Sequence, residues 1–345
     1  MHFPSSSQND VPTPEHRLAL KIDVDSLPGA LQGVPALIDL LRQRSATATF
    51  LFTLGPDRSG RSLPTFIRSG VDRKCSGPGA IERYGWKGLL RGTLLPAPII
   101  GEYAESSVRA AADAGFEVGL RPWDCHAWQQ MAAHADAAWT QTQMQRACDR
   151  FVTIFGTSPR VFGASAWQMN RHAFRATQRL GFDYCSDTRG FRPYVPVYDA
   201  EIIACPQIPT TLPTFDELLA DPRIDRESVV DRMADAFATP TPDGHVLTLS
   251  AGHCAASRAG AFPRSAAEPR RNIHVARDLL GRRRYRRFGT PSPPSRRPAW
   301  HFVAVVDAVY GISCMIESLR RRAWRESRVQ GVSSLFLRLV KGKRP

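Results

Sequence analysis

Leu18-Ala-Leu-Lys-Ile-Asp-Val-Asp25 reads as a strand that ends in two carboxylates, and it sets the frame for the rest of the chain. On its C-terminal side, Gly33-Val-Pro-Ala-Leu-Ile-Asp-Leu-Leu-Arg42 has helical spacing, with Pro35 acceptable in the first turn. Ala48-Thr-Phe-Leu-Phe-Thr53 is a second strand. The alternation continues with a helix over 106–114, a strand over 115–120, a helix over 140–155 and a strand over 160–164. It ends with a helix over 170–180, strands over 182–186 and 201–206, a helix over 228–237 and a strand over 245–250. Short strands alternating with longer helices imply a parallel sheet or a barrel of β/α units. Polar residues cluster just past the strand ends: Asp23 with Asp25, Asp124 with His126, Asp187 with Arg189. In β/α barrels that edge carries the chemistry. The alternative is that these residues only cap helices and fill turns.

The 345 residues carry a net charge of +14, which is confined to one end. From Ser257 onward there are 21 Lys and Arg against 5 Asp and Glu, leaving 25 basic and 27 acidic residues before it. The basicity therefore says little about what the main domain binds. The seven cysteines, Cys75, Cys125, Cys148, Cys185, Cys205, Cys254 and Cys314, are scattered and form no Cys-x-x-Cys pair. That pattern suits a reducing compartment. The first ten residues lack the basic and apolar regions of a signal peptide. The longest apolar stretch, 299–319, is broken by Asp307 and Glu317 and is expected to be a buried or interfacial helix. Three regions fall outside the β/α rhythm. Residues 1–15 are polar, Pro-rich and expected to be disordered. The stretch from Leu63 to Ile100 mixes apolar and basic residues, as a membrane-touching flap or a loop packed on the barrel would. The tail from about 256 to 345, with Arg282-Arg-Arg-Tyr-Arg-Arg287, is Arg-rich and divergent.

The Asp-x-Asp of Ile22-Asp-Val-Asp-Ser26 offers a pair of carboxylates where a strand frays into a loop. One can hold a hard divalent metal while the other accepts a proton from metal-bound water. Further along stand Leu54-Gly-Pro-Asp57, Glu117-Val-Gly-Leu-Arg-Pro-Trp-Asp-Cys-His-Ala-Trp128 and Ala164-Ser-Ala-Trp-Gln-Met-Asn170. They are followed by Tyr184-Cys-Ser-Asp-Thr-Arg-Gly190, Cys205-Pro-Gln-Ile-Pro-Thr-Thr-Leu-Pro-Thr214 and Val246-Leu-Thr-Leu-Ser250.

In this order and spacing, these motifs resemble the 4-deoxy-4-formamido-L-arabinose-phosphoundecaprenol deformylases of the polysaccharide deacetylase superfamily. The resemblance spans about 17–251. It implies a distorted β/α barrel of the polysaccharide deacetylase type, with a divergent C-terminal tail added here. It implies amide hydrolysis on an undecaprenyl-phosphate-linked formamido sugar for lipid A modification and polymyxin resistance. It also implies a divalent metal such as zinc, manganese or cobalt. Asp23 would be the general base and Asp25 a metal ligand. From their side-chain chemistry, Trp167, Asp187 and Arg189 are expected to line a sugar pocket, the guanidinium suiting a phosphate and the indole a pyranose ring; the alternative is an Asp187–Arg189 turn contact with Trp167 in the core.

The sequence departs from the family pattern at three positions. Arg121 and Cys125 stand where the family has its two metal-binding histidines, and Ser250 stands where it has a general-acid histidine. A guanidinium cannot ligate a cation. Cys125 can ligate zinc as a thiolate, and His126, one residue off register, is a possible substitute. The tail replaces the helix and strand with which the family domain closes, as a shift of reading frame near position 250 would. Two alternatives to an active deformylase stand beside it. One is a catalytically inactive homologue; the other is a basic membrane- or nucleic-acid-associated protein acting through its tail. No specific nucleic acid is expected. The expected location is cytoplasmic, peripheral on the anionic surface of the inner membrane.

Overall fold

Strand β1 (Leu18–Val24) lies between β2 (Thr49–Phe52) and β8 (His245–Ser250) in a parallel sheet. The computed structural model describes residues 18–62, 88, 90–221, 223–224, 228–239, 241, 243–252 and 273–274. The expected N-terminal segment, most of the flap and nearly all of the basic tail therefore lie outside the described residues. On one side β1 pairs with β2 (Thr49–Phe52), from Lys21 opposite Thr49 to Val24 opposite Phe52. On the other it pairs with β8 (His245–Ser250), from Leu18 opposite His245 to Asp23 opposite Ser250. The order β5-β4-β3-β2-β1-β8 is completed by β3 (Glu117–Leu120), β4 (Val161–Phe162) and β5 (Tyr184–Cys185). Two residues of the tail region, β9 (Ile273–His274), pair in parallel with Leu18 and Ala19 of β1.

Between β5 and β8 the seam is filled by an irregular segment. The Ile208 N–H donates to the Cys185 carbonyl at 2.8 Å, and the Leu212 N–H donates to the Val246 carbonyl at 3.2 Å. Pro206, Pro209 and Pro213 have no N–H to give to a ladder, so this stretch bridges both neighbours without forming a regular strand. The result is a distorted β/α barrel, as expected from the sequence. One expectation is corrected. The strand read over 201–206 is only Glu201–Ile202, and it belongs to a separate antiparallel hairpin of β6 (Val197–Tyr198) and β7 (Glu201–Ile202). Asp199 and Ala200 at its tip have φ of 50° and 60°, as a two-residue type I′ turn requires.

The helices are α1 (Val34–Gln43), α2 (Ile100–Tyr103), α3 (Glu105–Asp113), α4 (Cys125–Met131), α5 (Ala137–Phe155), α6 (Arg171–Arg179), α7 (Phe215–Ala220) and α8 (Val229–Ala238). Their starts are written in side chains. Asp124, Asp136 and Asn170 accept from the N–H groups of Ala127, Trp139 and Ala173, and Thr214 with Glu217 forms a reciprocal capping box. Gly156, at φ 71°, ends α5 in the left-handed conformation that glycine adopts without strain.

Alternation along β1 divides the interior in two. Leu18, Leu20, Ile22 and Val24 enter the main core between sheet and helices. Ala19 points into the barrel, where it forms a second cluster with Leu51, Val161, Tyr184, Ile208 and Val246. Leu51 fills the lumen because its neighbours are small: a Cβ on Gly163 would lie 2.4 Å from its Cδ1. Lys21 and Asp23, next on the same face of β1, sit above this plug at the mouth of the barrel.

Candidate active site

Arg121 dominates the mouth. Its backbone N–H donates to the Phe52 carbonyl at 2.9 Å, so the chain stays extended one residue past β3 and turns the side chain across the barrel. The guanidinium is buried and ion-pairs through Nη1 with Asp23 Oδ2. It donates from Nη2 to Ser165 Oγ at 3.1 Å and from Nε to Cys125 Sγ at 3.4 Å. Burial works against its charge, but Asp23, Cys125 and Asp25 outweigh that and hold it above the ordinary arginine range. The Arg121–Asp23 contact is one of charge without hydrogen-bond angles: Arg121 Nη1 and Asp23 Oδ1 are both buried with no hydrogen-bond partner among the described residues.

Cys125 opens α4 and is fully enclosed. Its sulfur lies 2.5 Å from Thr53 Oγ1 and accepts from Ser165 Oγ at 2.7 Å. Burial pushes this thiol up, and Arg121 only partly offsets it. Ser250 ends β8 directly opposite Asp23. Its hydroxyl is buried and has no hydrogen-bond partner among the described residues.

A second layer lies behind this pair. Lys21 Nζ donates to the Ser186 carbonyl at 3.1 Å and to Ser186 Oγ at 3.2 Å. Burial lowers its pKa, despite the attraction of Asp23 and Asp187. Asp187 accepts from the Ala164 N–H at 2.6 Å and from Gln207 Nε2 at 3.0 Å. Burial nevertheless pushes its carboxyl up to about 6, against those bonds and the nearby Lys21. Asp187 thus ties the turn after β4 to the seam segment and does not bond to Arg189.

Arg189 instead lies at the rim, 4.9 Å over the ring of Trp167. It donates to the Leu212 carbonyl at 2.9 Å and ion-pairs with Glu217 at 3.3 Å. The Trp167 indole N–H reaches Thr210 Oγ1 at 3.3 Å, and Thr210 in turn meets Thr248 of β8 at 2.9 Å. Ala166 and Trp167 have φ of 52° and 54°, an unfavourable region for side chains of this kind. That backbone sets the indole at the mouth.

The expected site residues therefore divide. Asp23, Arg121, Cys125 and Ser250 meet at the mouth, with Asp25 close enough to act on the charges of Arg121 and Cys125. Trp167 and Arg189 form a stacked pair on the rim, and Asp187 is sealed beneath. His126 stands apart. Its Nε2 pairs with Gln130 at 3.0 Å, and the charges that act on its half-buried ring are Asp124, Arg61 and Arg58.

The divalent metal that the family resemblance implies does not fit these residues. Among the described residues no group of three His, Cys, Asp or Glu is placed to hold a metal ion. A buried guanidinium stands at one of the expected ligand positions and pairs with Asp23, the expected general base. Lys21, Ser165, Gln207 and Asp57 stand in the motifs quoted above, but the sequence assigns none of them a role. Lys21 had a signal, because it sits two residues before Asp23 on the same strand face. Asp57 accepts from the N–H of Leu27 and both donors of Ser59 while pairing with Arg91 at 2.8 Å, which explains the Leu-Gly-Pro-Asp motif as a loop anchor.

No family model matches the chain. A probable 4-deoxy-4-formamido-L-arabinose-phosphoundecaprenol deformylase ArnD of Shewanella sediminis is 34% identical over 236 residues, covering 68% of this chain and 75% of that protein. A protein of the same name from Wigglesworthia glossinidia brevipalpis is 29% identical over 192 residues, covering 55% of this chain and 67% of its own length. Among solved structures, a putative polysaccharide deacetylase from Mycobacterium smegmatis superposes with a TM-score of 0.46 at 15% identity, covering 72% of this chain and 81% of that one.

Proposed function

The chain belongs to the 4-deoxy-4-formamido-L-arabinose-phosphoundecaprenol deformylases, a family of amide hydrolases, and from that premise we propose that its barrel mouth recognises an undecaprenyl-phosphate-linked formamido sugar without hydrolysing it at the rate of an intact relative. The observation that carries this reading is the buried Arg121–Asp23 ion pair. In the family the bound metal would polarise the formyl carbonyl and acidify the attacking water. Here a divalent cation about 4 Å from the guanidinium would be repelled by up to roughly 8 kcal/mol at an effective dielectric near 20. Asp23, the expected general base, has one carboxylate oxygen engaged by Arg121. Ser250, at the expected general-acid position, offers a hydroxyl that does not supply protons to an amine near neutral pH. Losing a general acid typically costs about 10²–10⁴ in rate.

Recognition is better supported than turnover. The Arg189 guanidinium suits the phosphate of a lipid-phosphate sugar, and the exposed part of the Trp167 indole suits a pyranose face. Asp187 acts beneath them as a positioning residue, holding the turn that carries Trp167 through the Ala164 N–H. The His126 Nε2 is taken up by Gln130, and its ring lies near the Arg58 and Arg61 cations, which does not favour an improvised zinc site with Cys125. The location that follows is the cytoplasmic face of the inner membrane, where such a lipid-linked sugar is presented.

The test uses the full chain. Metal content is measured after dialysis against metal-free buffer. A short-prenyl phosphate-linked formamidoarabinose is titrated calorimetrically, and formate release is followed with the same compound. Binding without stoichiometric metal and without formate release is the expected result. Stoichiometric metal together with turnover near that of an intact relative would overturn the reading.

A further inference from the structure

The β6–β7 hairpin carries an apolar face that none of the described residues covers. In an antiparallel pair, directly opposed residues share one face and the next pair takes the other. Tyr198 is opposite Glu201, and this face packs on α6: the Tyr198 ring lies 5.9 Å from that of Phe174, and Glu201 ion-pairs with Arg175. Val197 is opposite Ile202, so these two point away from α6, 65% and 69% exposed. Phe191, on the approach to the hairpin, is 77% exposed. Three large apolar side chains on one excursion are more than scattered surface residues. The excursion leaves the C-terminal end of β5, the edge of the barrel where Arg189 and Trp167 lie.

Helix α6 behind the hairpin is basic, although the hairpin carries Asp199 at its tip and Glu201, which is paired with Arg175. Helix α6, Arg-His-Ala-Phe-Arg-Ala-Thr-Gln-Arg, contains no acidic residue. Arg171, Arg175 and Arg179 recur at every fourth position and are exposed, so they form one cationic stripe. A protruding apolar face beside a cationic stripe matches the two layers of an anionic lipid leaflet, acyl chains below phosphate headgroups.

We propose that the Val197–Ile202 face of the hairpin, with Phe191, inserts into an anionic phospholipid surface while Arg171 and Arg179 engage lipid phosphates. This deepens the preceding reading by naming the surface that brings the barrel mouth to a lipid-linked sugar. Its test contains no sugar lipid, so the two readings fail separately.

The full chain is sedimented with vesicles of phosphatidylglycerol and phosphatidylethanolamine, and with phosphatidylcholine vesicles as reference. Phe191→Ser/Val197→Ser/Ile202→Ser should weaken binding to the anionic vesicles at least tenfold. Arg171→Gln/Arg179→Gln should weaken it severalfold and reduce its salt dependence. A fluorophore on Val197→Cys should shift to the blue on anionic vesicles only. Undiminished binding of the triple variant would assign attachment to the basic tail and overturn the proposal. Concentration-dependent dimerisation lost in the triple variant, without a vesicle-induced shift, would assign the face to a second copy and overturn it equally.

Discussion

Arg121 and Asp23 form a buried ion pair across the mouth of the barrel, joining the residue after β3 to the C-terminal end of β1. Removing one partner leaves the other charge buried without compensation, which typically costs about 3–5 kcal/mol. Asp23 keeps some solvent contact, so Arg121→Met should destabilise the chain by about 3 kcal/mol, at the low end of that range. Arg121→Met/Asp23→Leu should recover most of the loss. Urea unfolding of the two single variants and the double variant measures this. Additive losses would show that the two side chains are not coupled.

Asp187 should make stability fall with rising pH. An unfolded aspartate releases its proton near pH 3.9, whereas burial holds that of Asp187 to about 6. Between those values the native chain binds a proton that the unfolded chain has lost, so stability declines from about pH 4 to pH 6 and then levels off. The difference corresponds to about 3 kcal/mol. Asp187→Asn, which keeps an acceptor for the Ala164 N–H, should flatten that part of the profile. An unchanged slope between pH 4 and 6 would place the titration elsewhere.

Arg189→Ala should weaken binding of the phosphate-linked sugar by about ten- to a hundredfold, the range of one to two charge-assisted hydrogen bonds. Arg189→Lys should restore little of it, because a point charge replaces neither the planar stack on Trp167 nor the fork that reaches both Leu212 and Glu217. Calorimetric titration distinguishes these outcomes. Full recovery with lysine would reduce the role of Arg189 to its charge.

The thiols of Cys125, Cys148, Cys185 and Cys205 should resist alkylation in the native chain. All four are buried. Burial pushes Cys148 up to about 12, aided by Asp149, and raises Cys125 and Cys185 as well. The reactive thiolate is therefore scarce at pH 8. Peptide mapping after iodoacetamide treatment, with and without urea, should show these sites labelled only on unfolding. Rapid native labelling of Cys125 would mean that the mouth opens.

Most of the architecture could be read from local pattern. The strand over 245–250 was placed to the residue, and helices α1, α3, α6 and α8 lie within a residue or two of their expected bounds. Helix α7 lies outside the expected pattern although the capping box Thr214-Phe-Asp-Glu217 announces it. Helix α4, only seven residues long, lies outside it too, because its apolar run is too short to show a helical period. The seam defeated sequence reading for a different reason: with prolines at 206 and 209, its pairing to β5 and β8 depends on neighbours far along the chain.

The sequence by itself determined most of the strands and helices, the family, and the identities of the altered residues. Those follow from periodicity, capping chemistry and motif spacing, all local. Only the tertiary structure decided what the altered residues do. That Arg121 turns inward onto Asp23, that His126 turns outward to Gln130, and that Asp187 is sealed away from Arg189 depend on which strand ends meet and how deeply each charge is buried. Burial and charge proximity are properties of residues brought together from distant parts of the chain, and they set whether a carboxylate binds a metal, pairs with a guanidinium or keeps its proton.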